Sequence, residues 1–217
     1  MNIIEKLLDN WNYTKWRKEY KYIIVHHTWT KTSWENIYNY FNKSNVYASS
    51  HYLISKKWEI IRLVNDYDTA WHCWVSQRKE DTNLNDKSIW IEVNSDWFEF
   101  NDLQRDSTKE LIVYLMKKYW ITSDRVLRHK DIAPKRKWDI WENFYNEKYV
   151  NWWAYQNMLK EEVNNINKVN PGTTYIKLLK WLIKKHWLIF DKSKNSYEQE
   201  LLNTTNNKLR ELLEFYK

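Results

Sequence analysis

Near the middle of the chain, the run Arg128-His129-Lys130-Asp131-Ile132-Ala133-Pro134-Lys135-Arg136-Lys137-Trp138-Asp139 gathers an imidazole, an ammonium and a carboxylate. Pro134 lacks an N–H and constrains its predecessor, so the run is expected to be a loop rather than a helix. Together these groups have the composition of a metal site with a built-in cation. Taken alone, the His129-to-Asp139 spacing is equally that of two solvated surface residues, so the chemistry depends on what other elements bring to the same place.

Two other segments carry matching groups. Tyr22-Ile23-Ile24-Val25-His26-His27-Thr28 is a continuous β-branched run that turns polar, the pattern of a buried strand whose carboxyl end opens onto a site. Ser88-Ile89-Trp90-Ile91-Glu92-Val93 reads as a strand with one acid among apolar neighbours. Strand-end His26, strand Glu92 and loop residues His129, Lys137 and Asp139 are then expected at one edge of a central sheet.

The elements that must hold them follow from periodicity. Helices are expected over 32–42, with Thr32 or Ser33 as N-cap and Ile37, Tyr38 and Phe41 inward, and over 101–120, opened by an Asn101/Gln104 capping box. Segments 49–54 and 59–64 read as strands joined by a turn at Trp58, and a short strand at 125–127 leads into the central loop. The first twenty residues read as a short helix and lead-in, 68–74 as a loop, and 76–86 as an exposed rim. The second half of 143–169 reads as a helix with Tyr155, Met158, Leu159 and Val163 on one face. Asn170-Pro171-Gly172 marks a boundary. It separates a domain at 1–169 from a small helical appendage at 173–217, whose basic faces suit cell-wall or partner binding.

Composition narrows the class. With 217 residues and 43% hydrophobic content the chain can bury a real core, and its net charge of +7 suits an anionic partner such as nucleic acid, a membrane surface or a cell-wall polymer. Cys73 is the only cysteine, which excludes an intrachain disulfide and a cysteine-rich zinc knuckle and leaves the redox compartment open. Acids interrupt the apolar residues of 1–10, and no run of about 18 apolar residues occurs. The expectation is a protein that neither spans a membrane nor carries an export signal.

One count is abnormal: the chain has 1 glycine and 16 tryptophans, where ordinary usage of about 7% would give roughly 15 glycines. Tryptophans stand in glycine places. Trp58 lies at a hairpin turn, and Trp120 follows the last periodic residue of a long helix, where a left-handed C-cap is usual. Either the protein folds with unusual turns, or many of these codons are UGA, rendered as tryptophan here and decoded as glycine in the source.

Five pieces in order resemble a known family. They are Ile24-Val25-His26-His27-Thr28, Ser50-His51-Tyr52-Leu53-Ile54, Ala70-Trp71-His72, Ser88-Ile89-Trp90-Ile91-Glu92, and His129-Lys130-Asp131-Ile132-Ala133-Pro134 with Arg136-Lys137-Trp138-Asp139. Over about residues 20–155 they are similar to the zinc-dependent N-acetylmuramoyl-L-alanine amidases of the amidase-2 family, which share a fold with peptidoglycan recognition proteins and phage lysozyme-type amidases. The resemblance implies an α/β fold with a mixed central sheet flanked by helices. It implies zinc (Zn2+) on His26, His129 and Asp139 with a fourth position for water, Glu92 as catalytic acid and Lys137 as catalytic lysine. His72 and Trp71 would touch substrate, and His27 and His51 would support the ligands from behind. The bond cut would join the lactyl group of N-acetylmuramic acid to L-alanine in peptidoglycan or a muropeptide.

Three departures stand out: Trp90 follows Ser88-Ile89 where the family commonly has glycine, Trp74 follows the Ala70-Trp71-His72 motif, and Trp141 follows Asp139. Glycine decoding would remove all three. Asp139 stands where some members use cysteine, and Ser50 where some phage-type members carry tyrosine. A second reading is a muropeptide-binding module of the same fold that does not cut; such proteins commonly lack a zinc ligand, and here all three positions are filled. A nucleic-acid partner would explain the charge but not the histidines, and none is expected. The expected location is the cytoplasm, or the cell wall after endolysin-like release.

Overall fold

The long apolar runs pair in the middle of one mixed sheet, and short strands extend it. The computed structural model describes residues 1–168 apart from 10, 18, 97–98, 141–143 and 146–150. The expected appendage at 173–217 and Trp141 therefore lie outside the described residues. The strands are β1 (Ile3–Glu5), β2 (Tyr13–Thr14), β3 (Tyr22–Trp29), β4 (Tyr52–Ile54), β5 (Ile60–Arg62), β6 (Thr69–Ala70), β7 (Gln77–Arg78), β8 (Asp81–Thr82), β9 (Ser88–Ser95) and β10 (Val126–Arg128). The helices are α1 (Trp34–Phe41), α2 (Asp102–Tyr119), α3 (His129–Ile132) and α4 (Trp152–Lys168). The chain divides into two compact units, Met1–Val163 and Asn164–Lys217.

The six-stranded sheet has the order β1-β5-β4-β9-β3-β10. Only β4 and β5, joined by the turn at Trp58, are antiparallel; β4, β9, β3 and β10 run parallel. Parallel strands are buried on both faces, which is why β3 and β9 read as near-continuous apolar runs. Alternation along them sorts the two cores. Ile23, Val25, Ile89, Ile91 and Val93 face Leu111, Ile112, Leu115 and Met116 of α2 and Tyr155 and Leu159 of α4. Tyr22, Ile24, Trp90 and Leu127 pack on the other face with Cys73, Leu84 and Ile132. His26 and Glu92 share the parity of this second set.

Helix α2 begins as its sequence dictates. The Asn101 side chain accepts from Gln104 N–H at 2.8 Å, and the Gln104 side chain reaches back to Asn101 N–H. It ends at Trp120 in the left-handed region, with φ 56°, and Ile121 N–H bonds Met116 O at 3.0 Å. For an L-residue that region costs about 1–2 kcal/mol.

Two expectations are corrected. Residues 3–5 form strand rather than helix, because Ile3 and Ile4 find parallel partners in Ile60 and Ile61 at the sheet edge. The start of the central loop is a helical turn, α3, because Arg128 and Asp131 close a capping arrangement in which Arg128 N–H donates to Asp131 Oδ2 at 2.9 Å. Pro134 ends that turn: Ala133 before it leaves the helical region, at φ −142° and ψ 53°. The expected rim at 76–86 carries the small hairpin β7–β8.

Buried Asp66 anchors the sheet to α2. It accepts from Tyr52 Oη at 2.5 Å, Tyr119 Oη at 2.6 Å and Lys118 Nζ at 3.0 Å. Burial pushes its carboxyl up, but the bonds from Tyr119, Tyr52 and Lys118 outweigh it and hold the pKa below the usual carboxylate value. Asp66→Ala is expected to cost about 2–3 kcal/mol at pH 7, since it leaves the buried Tyr52 hydroxyl unpaired. A depressed carboxylate contributes stability above its unfolded pKa and loses it as pH falls through the folded one. Denaturant melts should therefore show the gap between wild type and variant closing below about pH 4.

Candidate active site

Three parallel strands deliver the site residues. The register of β3 on β9 sets His26 directly opposite Glu92, and β10 ends against Val25 so that His129 opens α3 one residue further on. The loop after α3 then doubles back: Lys130 N–H donates to Asp139 O at 2.7 Å, which returns Asp139 to the histidines. Arg136 pins the outside of that loop through bonds to the Cys73 and Val75 carbonyls at 3.0 and 2.9 Å.

His26 Nδ1, His129 Nδ1 and Asp139 Oδ2 converge, with His26 Nδ1 in contact with Asp139 Oδ2. The other two separations are 3.4 Å between the histidine nitrogens and 3.2 Å from His129 to Asp139. A tetrahedral zinc with bonds of about 2.0–2.1 Å spaces its ligands about 3.3 Å apart, so these two separations, and the donor types, suit that ion. Both imidazoles are held neutral, as ligands must be. Burial, reinforced by His129 and His27, lowers His26 well below its ordinary value; burial, reinforced by Lys137 and Arg136, takes His129 to about 3.

Glu92 is buried, with Oε1 3.4 Å from His26 Nε2 and Oε2 accepting from the Trp90 indole N–H at 2.8 Å. Burial pushes its pKa up to about 8, against the opposing pull of the Trp90 bond and Lys137. A cation held beside it would bring that value down toward neutrality, where a group exchanging protons at pH 7 is best placed. Lys137 is half-buried and depressed, first by burial and then by Arg136.

These residues line one end of a cavity of about 630 Å³, with His26, Trp90, Glu92, His129 and Lys137 in its wall. Trp71 and His72 also line it. Trp71 is fixed by its indole N–H to Thr14 Oγ1 at 2.9 Å, and His72 by Ser88 Oγ at 3.0 Å. Asn36 and Tyr40 of α1, which sequence reasoning missed, line the cavity as well. Their i, i+4 spacing puts them on one helix face, but the pattern alone does not tell what that face looks onto.

Among the described residues, the remaining histidines take other places. His27 points to the opposite face, edge-on to Phe100 at 5.5 Å and accepting from the Trp29 indole. His51 lies behind β9, its Nδ1 accepting from Trp90 N–H at 3.1 Å and its Nε2 beside Asp68 O at 3.1 Å. Cys73 is fully buried beside Asn85 and Ser76, and burial pushes its thiol up to about 12. Alkylation by iodoacetamide at pH 8 is expected to be at least about 100-fold slower in native protein than in denaturant; equal rates would contradict this placement.

The chain is similar to known proteins over the part that carries this site. It is 41% identical over 105 residues to the 1,6-anhydro-N-acetylmuramyl-L-alanine amidase AmpD of Haemophilus influenzae, covering 48% of this chain and 57% of that protein. It spans only about a third to just over half of the length of the curated relatives it matches. A solved complex of the amidase AmiD from E. coli with anhydro-N-acetylmuramic acid-L-Ala-D-gamma-Glu-L-Lys superposes with a TM-score of 0.54 at 25% identity, covering 66% of this chain and 58% of that one. PlyL shares the fold at a TM-score of 0.56 and 22% identity, over 74% of this chain and 98% of its own. The family model described as N-acetylmuramoyl-L-alanine amidase matches residues 16–141, more than half of the chain and all five site residues. The chain therefore belongs to the N-acetylmuramoyl-L-alanine amidase family, Amidase_2.

Proposed function

We propose that the chain hydrolyses the amide between the lactyl group of N-acetylmuramic acid and L-alanine in peptidoglycan or its muropeptide fragments, with zinc on His26, His129 and Asp139. The observation that carries this reading is the convergence of two neutral imidazoles, both in the groove wall, and the Asp139 carboxylate, with a buried carboxyl, Glu92, on the strand beside His26. Zinc bound there would supply Lewis acidity to the scissile carbonyl and to the attacking water.

The protein's own groups do the rest. Glu92 takes the proton of the attacking water and passes it to the nitrogen of departing L-alanine. The Lys137 ammonium faces the negative charge that develops on the carbonyl oxygen. Trp71, His72, Asn36 and Tyr40, all in the groove lining, hold the flanking glycan and peptide. Residues 173–217 act as an appendage for wall or partner binding. Both expected locations, cytoplasm and cell wall, contain a suitable muropeptide or polymer. No helix among the described residues is long and apolar enough to cross a membrane.

Purified peptidoglycan incubated with the full chain should release peptides that begin with a free L-alanine amine, with zinc and not with a chelator. Saturable retention on the polymer with no new amine would instead support the binding-module reading.

A further inference from the structure

Among the described residues, six non-glycine positions have positive φ: Trp16, Trp58, Trp74, Lys79, Asn83 and Trp120. Asn83 is a residue type that tolerates the left-handed region because its short amide bonds locally. An indole has no such means, yet four of the six are tryptophan, with φ of 65°, 58°, 41° and 56°. Burial does not explain them either, since these residues are 77%, 51%, 80% and 89% exposed. Each performs a backbone task that belongs to glycine, most plainly the β4–β5 turn at Trp58 and the α2 C-cap at Trp120.

Trp90 is the contrasting case. It is 2% exposed and packed with Tyr22, Ile24 and Leu127, its ring lies 4.3 Å from His72, 4.8 Å from His129 and 5.0 Å from His26, and its N–H donates to Glu92 Oε2.

We propose that positions 16, 58, 74 and 120 are glycine in the working protein. Their codons are UGA, read in the source by a glycyl-tRNA of matching anticodon. Tryptophans with structural work of their own are tryptophan in both decodings. These are Trp71, bonded to Thr14, and Trp152, which is 7% exposed and packed 5.4 Å from Tyr145 and 5.2 Å from Tyr155. This inference is independent of the hydrolase reading.

The decisive test is the mass of peptides from the source's own protein, read beside the gene. Glycine masses at 58 and 120 over UGA codons, with UGG at 71 and 152, are expected. Tryptophan masses at 58 and 120, whatever the codon, overturn the proposal. A second test uses recombinant full chain, as written and with W16G, W58G, W74G and W120G combined. The glycine form should melt about 5 °C or more higher, because relief of four left-handed tryptophans acts directly on the native state. An equal or lower midpoint counts against it. Neither readout involves catalysis, so failure here is separable from failure of the amidase assignment.

Discussion

Asp139→Ala should abolish zinc-dependent behaviour while leaving the apo-protein folded. Asp139 Oδ2 is the one donor that meets both histidine nitrogens, so its loss leaves two imidazoles that cannot close a three-ligand site. Losing an outer partner of a metal ligand typically costs about 10–100-fold in affinity, and losing the ligand itself should cost more. A ligand that binds only the native state adds about 2.7 kcal/mol at 100 times its Kd. Wild type should therefore gain roughly 5–10 °C in melting temperature with zinc, and the variant almost nothing. In chelator the two should melt within a few degrees, since Asp139 is buried and faces imidazoles held neutral rather than a cation. Activity should fall by at least about 10³-fold, the scale of several kcal/mol that a Lewis acid supplies. A variant that still binds zinc one to one would remove Asp139 from the ligand set.

Glu92→Gln is expected to separate chemistry from metal binding. Glutamine has the same shape and can still accept the Trp90 indole N–H through its carbonyl, so the strand and its buried surroundings should survive. It cannot take a proton from water. General acid–base catalysis is typically worth about 10²–10⁴-fold, and kcat should drop by that factor while the zinc-induced rise in melting temperature persists. Loss of both together would make Glu92 a structural support of the histidines. Unchanged turnover would place proton transfer elsewhere.

Much of this arrangement was legible in the sequence, for reasons that differ by element. β3 and β9 announce themselves because strands buried on both faces must be apolar throughout, and polar interruptions at His26 and Glu92 then stand out. The α2 boundaries are local chemistry, a capping box at Asn101 and a left-handed residue at Trp120, and local chemistry is written locally. β1 was not legible: Ile3 and Ile4 pair only because Ile60 and Ile61 present a free edge, a tertiary fact. The helical turn α3 is hidden because it is a single turn, too short for a periodic signal, closed by the Arg128–Asp131 pairing just before a helix-breaking proline. His27 shows a subtler limit. Neighbours on a strand face opposite ways, so once His26 faces the site His27 must face the α2 core, but the sequence alone does not say which of the two comes first. Asn36 and Tyr40 join the groove through the docking of α1, which no pattern within the helix reports.

The measurement that bears most directly on the proposed activity is the fate of the water oxygen. An anhydro-muramyl tripeptide is incubated with the zinc-loaded chain in water enriched in heavy oxygen, and both products are weighed by mass spectrometry. Amide hydrolysis at this site predicts one heavy oxygen in the lactyl carboxylate and an unlabelled peptide with a free L-alanine amine. Label in the peptide, cleavage at any other bond, or full recovery of intact substrate bound to the protein would contradict it.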